Sequence, residues 1–259
     1  MQQLARFSGA LWTALLVLAA PPQCAACGVR VPVRGGCCRR CRLRVGREQR
    51  RWRHERLGLW LTPAGARRSE GPSPPEGAIP VVTAGVHRGV WARLVQLYKA
   101  EDVREVSRRL ESRLLRAVSR ARRADGVVFV PVPMAPVRRR EKGTHPAERL
   151  ARALSHGGRG AAWAPMLRRV RYRRPLRGLS AEARREEIGG AIAFAPGSAA
   201  FLDRDLVLVD DVVTTGATLG ECRRALEAAG GRVVAVAALG ATPRRARSGR
   251  AVEPQPAKL

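Results

Sequence analysis

Residues 206–218 read Leu-Val-Leu-Val-Asp-Asp-Val-Val-Thr-Thr-Gly-Ala-Thr, and this order of residue types restricts the fold more than any other stretch. The unbroken apolar run from Leu206 to Val209 suits a strand covered on both faces, as in a parallel sheet. Asp210 and Asp211 end that run. Two adjacent carboxylates are costly to bury without partners, but in the crevice beyond the carboxyl ends of parallel strands they can accept hydrogen bonds from vicinal hydroxyls. Thr214, Thr215, Gly216, Ala217 and Thr218 then lead into a helix, whose N-terminus favours an anion. Gly216 lets the backbone approach a phosphate closely. Carboxylates beside an anion cradle fit a ligand with hydroxyls in its middle and phosphate at its end, such as a sugar 5-phosphate. An Asp-rich turn that only caps a helix accounts for the threonines but not for the ordered set.

The surrounding pattern predicts alternating strands and helices. Ile79 to Val86 has the β-branched content of a strand, and Val90, Trp91, Leu94, Val95, Leu97 and Tyr98 form one helical stripe. A second stripe follows at Val103, Val106, Leu110, Leu114 and Val118. Val127 to Val132 reads as another buried strand, and Thr144 with Pro146 offers a helix start ahead of Ala147, Leu150, Ala151 and Leu154. Leu219, Cys222, Leu226 and Ala229 give a last helical face, stopped by Gly230 and Gly231 before a strand over Val233 to Leu239. The expected fold is α/β, a doubly wound parallel sheet.

Five of the six cysteines fall between Cys24 and Cys41, and the sixth is Cys222. Cys24, Cys27, Cys38 and Cys41 form two Cys-x-x-Cys pairs, with Gly28, Gly35 and Gly36 available for tight turns. Four thiolates suit a closed tetrahedral site for structural Zn2+, with no position left for water. Cys37 could replace Cys38 at the cost of a less regular spacing. The expected organisation is therefore an apolar helix over 1–20, a zinc-ribbon-like knuckle over 21–45, an Arg-, Pro- and Gly-rich linker over 46–77, the α/β domain over 78–242, and a basic disordered tail over 243–259.

Lys and Arg outnumber Asp and Glu by 49 to 21, a net charge of +28 that would attract polyanions, single-stranded DNA among them. The arginines are spread over every segment and only Lys99, Lys142 and Lys258 are lysines, so compositional bias explains the charge as well as a binding surface does. The apolar run from Ala10 to Ala20 superficially resembles a secretory signal, but we favour a short helix packed on the domain. It is too short to span a bilayer.

The 206–218 segment resembles the phosphoribosyl diphosphate signature of type I phosphoribosyltransferases. A closer resemblance, covering nearly the whole chain, is to the ComF family, competence-associated proteins that join a zinc knuckle to a phosphoribosyltransferase domain. It is carried by PPQCAACG at 21–28, CRRC at 38–41, GVHRGVWARLVQLYK at 85–99, VFVPVPMAPVRRREKG at 128–143 and LRRVRYRRPLRGLSAEAR at 167–184. The resemblance implies a cytoplasmic protein. It assigns Asp210 and Asp211 to ribose hydroxyls and the turn of Val213, Thr214, Thr215, Gly216, Ala217 and Thr218 to the 5-phosphate. Phosphoribosyl diphosphate would arrive with Mg2+. Arg139 and Lys142, in the loop after the 127–132 strand, would meet diphosphate, although surface cations are expected in so basic a chain. Lys99 matches a family lysine at the end of the first helix, where a cation is favoured even without a ligand.

Three departures from the family pattern stand on the diphosphate and acceptor side. Lys142-Gly143-Thr144-His145-Pro146 replaces Arg-Gly-Phe-Asn-Gln, Leu176 replaces a Gln after Pro175, and Glu187 stands where Asn is common. His145, next to Pro146, is left without a catalytic role. Three functions follow as expectations: a Mg2+-dependent phosphoribosyltransferase with an unidentified acceptor, a non-catalytic DNA-uptake or DNA-handling factor, and a regulator that responds to phosphoribosyl diphosphate.

Overall fold

A computed structural model describes residues 22–54, 58–62, 65–69, 74–100, 103–121, 125–134, 145–170 and 189–242. Seven of its strands form one sheet. In chain order these are β3 (Gly58–Thr62), β4 (Gly65–Ser69), β5 (Ile79–Thr83), β6 (Val128–Pro131), β7 (Ala162–Trp163), β10 (Asp205–Val213) and β11 (Arg232–Ala241). They lie in the order β4-β3-β5-β11-β10-β6-β7. The five from β5 to β7 run parallel, and β3 joins β5 antiparallel.

Side-chain alternation along β10 divides the core. Val207 and Val209 face a cluster with Phe129, Ala235, Ala237 and Leu239, covered by α2 (Gly89–Ala100), α3 (Arg104–Arg120) and α4 (Pro146–Ser155). Leu206 and Leu208 face the opposite cluster with Val128, Val130, Val236 and Ala238, covered by α5 (Ala217–Glu227). A short antiparallel ribbon, β8 (Leu167–Arg169) with β9 (Ile192–Phe194), adds Leu167 and Ile192 to that second cluster. Both faces of the central strands are therefore dry, which is why those strands read as continuous apolar runs rather than alternating ones. The doubly wound α/β sheet expected from the sequence is the one observed.

The helical stripes sit where their periodicity puts them. Val90, Trp91, Leu94, Val95 and Tyr98 are buried on α2, and Val106, Leu110, Leu114 and Val118 on α3. Trp91 also donates its indole N–H to Leu239 O at 2.9 Å, so its one polar group is satisfied inside the core. The start of α4 differs by one residue from the Thr144 expectation. His145 is the N-cap, its Nδ1 accepting the N–H of Glu148 at 3.1 Å.

Two differences from the sequence reading bear on function. The acidic pair lies within β10, not beyond it: β10 continues to Val213 because β11 pairs with it as far as Ala241, although pairing with β6 stops at Val209. The segment 46–77 is not a bare linker. Its first residues extend α1 (Arg39–His54), and β3 and β4 pair antiparallel on the sheet edge. Leu61 and Ala66 are buried there, enough apolar contact to hold an Arg-rich stretch in place. Residues 1–21 and 243–259 lie outside the described residues, so the expected N-terminal helix and tail do too.

Candidate functional site

The knuckle is built around a two-strand hairpin, β1 (Val33–Arg34) and β2 (Cys37–Cys38), turned by Gly35 and Gly36 at φ +60° and +72°. These positive φ values need glycine, and so does the packing: a Cβ on Gly36 would lie 2.8 Å from Val106 of α3. Cys24 and Cys27 come from the preceding turn, Cys38 ends β2 and Cys41 opens α1. Their four sulfurs all lie within 4.8 Å of one another, and Cys27 and Cys38 are 3.9 Å apart. Tetrahedral Zn2+ with bonds of ~2.3 Å requires sulfurs about 3.8 Å apart. The donor set and its spacing therefore fit structural zinc.

Backbone N–H groups prepare these sulfurs. Cys38 N–H donates to Cys24 Sγ at 3.3 Å and Cys41 N–H to Cys38 Sγ at 3.4 Å. Burial works against a thiolate at Cys24, yet the backbone N–H groups of Cys38, Cys27 and Ala26 outweigh it and bring the thiol down to about 6. Cys37 lines an apolar cavity with Trp91, Leu94 and Leu110, and burial pushes its thiol up to about 11. The sulfur cluster decides the choice the spacing left open, because it contains Cys38 and not Cys37, which belongs to the core.

At the carboxyl ends of the parallel strands, Asp210 and Asp211 emerge from β10 just past the end of β6. Asp210 Oδ1 accepts the N–H of Asp211 at 2.8 Å. Burial above all, and then the charge of Asp211, raise the Asp210 carboxyl to about 8, against the opposing pull of that N–H and of Lys99. Asp211 Oδ2 meets Lys99 Nζ at 2.9 Å. Lys99 closes α2, so two residues 112 positions apart are joined across the site. The same pair acts on His87, in the β5–α2 loop, whose proton affinity is lowered by burial and by Lys99 and partly restored by Asp211.

Val213 is buried at the end of β10, Thr214 is exposed, and Thr215, Ala217 and Thr218 are half-buried. Gly216 caps α5 in the left-handed region at φ +75°. The first amides of a helix have no intrahelical acceptor, so this turn presents N–H groups to an anion. The hairpin braces it: Ala66 N–H donates to Thr215 O at 2.9 Å, and a Cβ on Gly216 would come 2.5 Å from Ala66 N. Sequence reasoning missed both this brace and His87. The hairpin hid in a stretch whose composition suggests a linker, and His87 stands in a loop with no chemical pattern of its own. Arg139, Lys142, Leu176 and Glu187 lie outside the described residues.

The phosphoribosyl transferase domain family matches residues 115–253, more than half of the chain. Competence protein F of Haemophilus influenzae is 32% identical over 141 residues, covering 53% of this chain and 62% of that protein. Competence protein ComFC of Streptococcus pneumoniae is 30% identical over 106 residues, covering 41% of this chain and 44% of that protein. The chain belongs to the ComF family, with a phosphoribosyltransferase domain. It spans less than two thirds of the length of either relative. The ComF assignment joins the two halves of the structure, since the four-cysteine cluster and the phosphoribosyltransferase-type sheet share one core through Cys37, Val106 and Leu110. Among the described residues no helix is long and apolar enough to cross a membrane.

Proposed function

We propose that this ComF protein binds phosphoribosyl diphosphate, or ribose 5-phosphate, in the crevice between Lys99, Asp210–Asp211 and the 213–218 turn. The observation that carries the reading is the convergence of an acidic pair and a helix N-terminus on one loop at the carboxyl edge of a parallel sheet, within a phosphoribosyltransferase domain. Asp210 and Asp211 accept from the ribose hydroxyls, and the amides and hydroxyls of Thr214 to Thr218 hold the 5-phosphate. Lys99 exchanges part of its pairing with Asp211 for the incoming anion, and Arg139 and Lys142, which follow β6 in the sequence, would meet diphosphate. The carboxylates are hard oxygen donors of the kind Mg2+ accepts, and Mg2+ brought with the diphosphate would neutralise charge on that leaving group. If phosphoribosyl is passed to an acceptor, the chain's part is to hold C1 in position and to screen the departing charge. Four thiols poised for a metal are the form a reducing compartment keeps, and we place the protein in the cytoplasm.

Isothermal titration of the full chain with Mg2+ and phosphoribosyl diphosphate tests the reading. We expect binding that Asp211→Asn and Thr215→Ala each weaken by about tenfold or more, the loss of one hydrogen bond to a charged group. No binding by the wild-type chain would end it.

A second reading, a DNA-handling factor of the uptake machinery, is favoured by one observation. Arg39, Arg40, Arg44 and Arg47 are exposed on α1, and Arg104, Arg108, Arg116 and Arg120 on α3, which packs against the knuckle. Single-stranded DNA binding followed across a salt series decides it, with affinity expected to fall steeply as salt rises. Absence of binding at low salt removes it.

A further inference from the structure

β11 ends in Gly240 and Ala241, and the chain leaving β5 crosses that end. Val86 bridges to Ala241, and His87 N–H donates to Ala241 O at 2.8 Å. A Cβ on Gly240 would stand 3.2 Å from His87 Cβ, so the histidine leans on a residue with no side chain. Gly240 is in register with Val212, the neighbour of Asp211, so a single strand separates His87 from the Lys99–Asp211 pair.

The loop is held from behind by the knuckle helix. A Cβ on Gly85 would lie 2.4 Å from Gln49 Nε2, and one on Gly89 would lie 2.4 Å from Glu48 Oε1, both side chains of α1. His87 thus has a fixed place. The residue is half-buried, and among the described residues its Nδ1 is enclosed with no hydrogen-bond partner. Nε2 is the nitrogen left to meet a ligand.

We propose that His87 is a ligand-binding residue of this site, acting with Lys99 on the anionic arm at C1 of the ribose while Asp211 takes a neighbouring hydroxyl. The inference rests on the sugar-phosphate reading above and adds to it which part of the ligand this corner recognises. The chemistry divides cleanly between the two ends of the crevice. The 213–218 turn supplies amides for one phosphate, and Lys99, paired with Asp211, and His87, one strand away, supply two nitrogen donors for a second anion beside a hydroxyl. Ribose 5-phosphate has the first anion only, and phosphoribosyl diphosphate has both.

The test is the ratio of affinities for Mg2+–phosphoribosyl diphosphate and ribose 5-phosphate, titrated against the full-length chain. His87→Phe should weaken the diphosphate ligand about tenfold and leave ribose 5-phosphate within about twofold, as expected for one hydrogen bond to an anion. His87→Gln, which keeps an N–H donor near the Nε2 position, should restore most of the ratio, and it carries the measurement if the Phe variant fails to fold. If the wild-type chain binds both ligands and neither variant moves the ratio, the inference is overturned while the sugar-phosphate reading stands. If the wild-type chain binds neither ligand, both are overturned together.

Discussion

Asp210 sits in a conflict that its surroundings do not resolve. Its carboxyl is raised to about 8, so it binds its proton more tightly in the folded chain than in the unfolded one. The stability it contributes is therefore whole below about pH 4 and is lost as pH rises through about 8. Asp210→Asn removes that loss. Thermal unfolding of the two proteins should agree at low pH and diverge in the variant's favour on the alkaline side, by on the order of a few kcal/mol. A gap that does not widen with pH would show that Asp210 carries no such burden. The hydroxyl protons of a bound ribose, together with Mg2+, would ease the same strain, so a residue that costs stability is well suited to a ligand site.

Gly216 is constrained twice at the same scale. Its φ of +75° disfavours a side chain, and the Ala66 backbone nitrogen fills the space a Cβ would need. Gly216→Ala is expected to cost about 1–3 kcal/mol in chemical denaturation and to weaken ribose 5-phosphate binding. Ala66→Gly should not rescue it, because the nearest obstacle is backbone.

Among the elements, the β3–β4 hairpin does two jobs at once. It closes one edge of the parallel sheet by pairing β3 with β5, and it braces the 213–218 turn through Ala66 and Leu61. Leu61 is fully buried and packs 3.0 Å from the Gly216 Cβ position. Leu61→Ala should destabilise the chain by about 2–5 kcal/mol and loosen the phosphate turn, read as a lower affinity for ribose 5-phosphate in the fraction that remains folded. An unchanged affinity would show that the turn holds itself. The hairpin was illegible in the sequence because Leu59, Trp60 and Leu61 are consecutive and so show no alternation, and the surrounding 46–77 stretch is rich in Arg, Pro and Gly. The helical stripes on α2 and α3 were legible for the opposite reason: each repeats one face over two or more turns.

Across the whole molecule, the knuckle is part of the domain rather than an appendage. Cys24, Cys37, Cys38 and Cys41 belong to the same buried cluster as α2 and α3, and Arg109 of α3 donates to Arg34 O at 3.2 Å. Removing zinc with a chelator should therefore lower the unfolding temperature of the whole chain instead of releasing a separate low-temperature transition. Elemental analysis should find one zinc per chain in wild-type and Cys37→Ala protein and none in Cys38→Ser. Zinc retained in Cys38→Ser, or lost in Cys37→Ala, would reverse the ligand choice.

The sequence by itself determined the sheet class, the helical faces, the four-cysteine set up to the choice between Cys37 and Cys38, and the acidic-to-threonine segment over 206–218. Each of these is a local signal, because periodicity, ligand spacing and a strand-to-helix turn are written within a dozen or so neighbouring residues. Only the tertiary structure decided that Lys99 meets Asp211, that Cys37 faces the core, that the hairpin locks onto Gly216, and that His87 stands one strand away from the ion pair. Those are contacts between segments up to 155 residues apart, as between Leu61 and Gly216. They depend on which strands become neighbours, and strand order is settled by packing both faces of the sheet together rather than by any one stretch of residues.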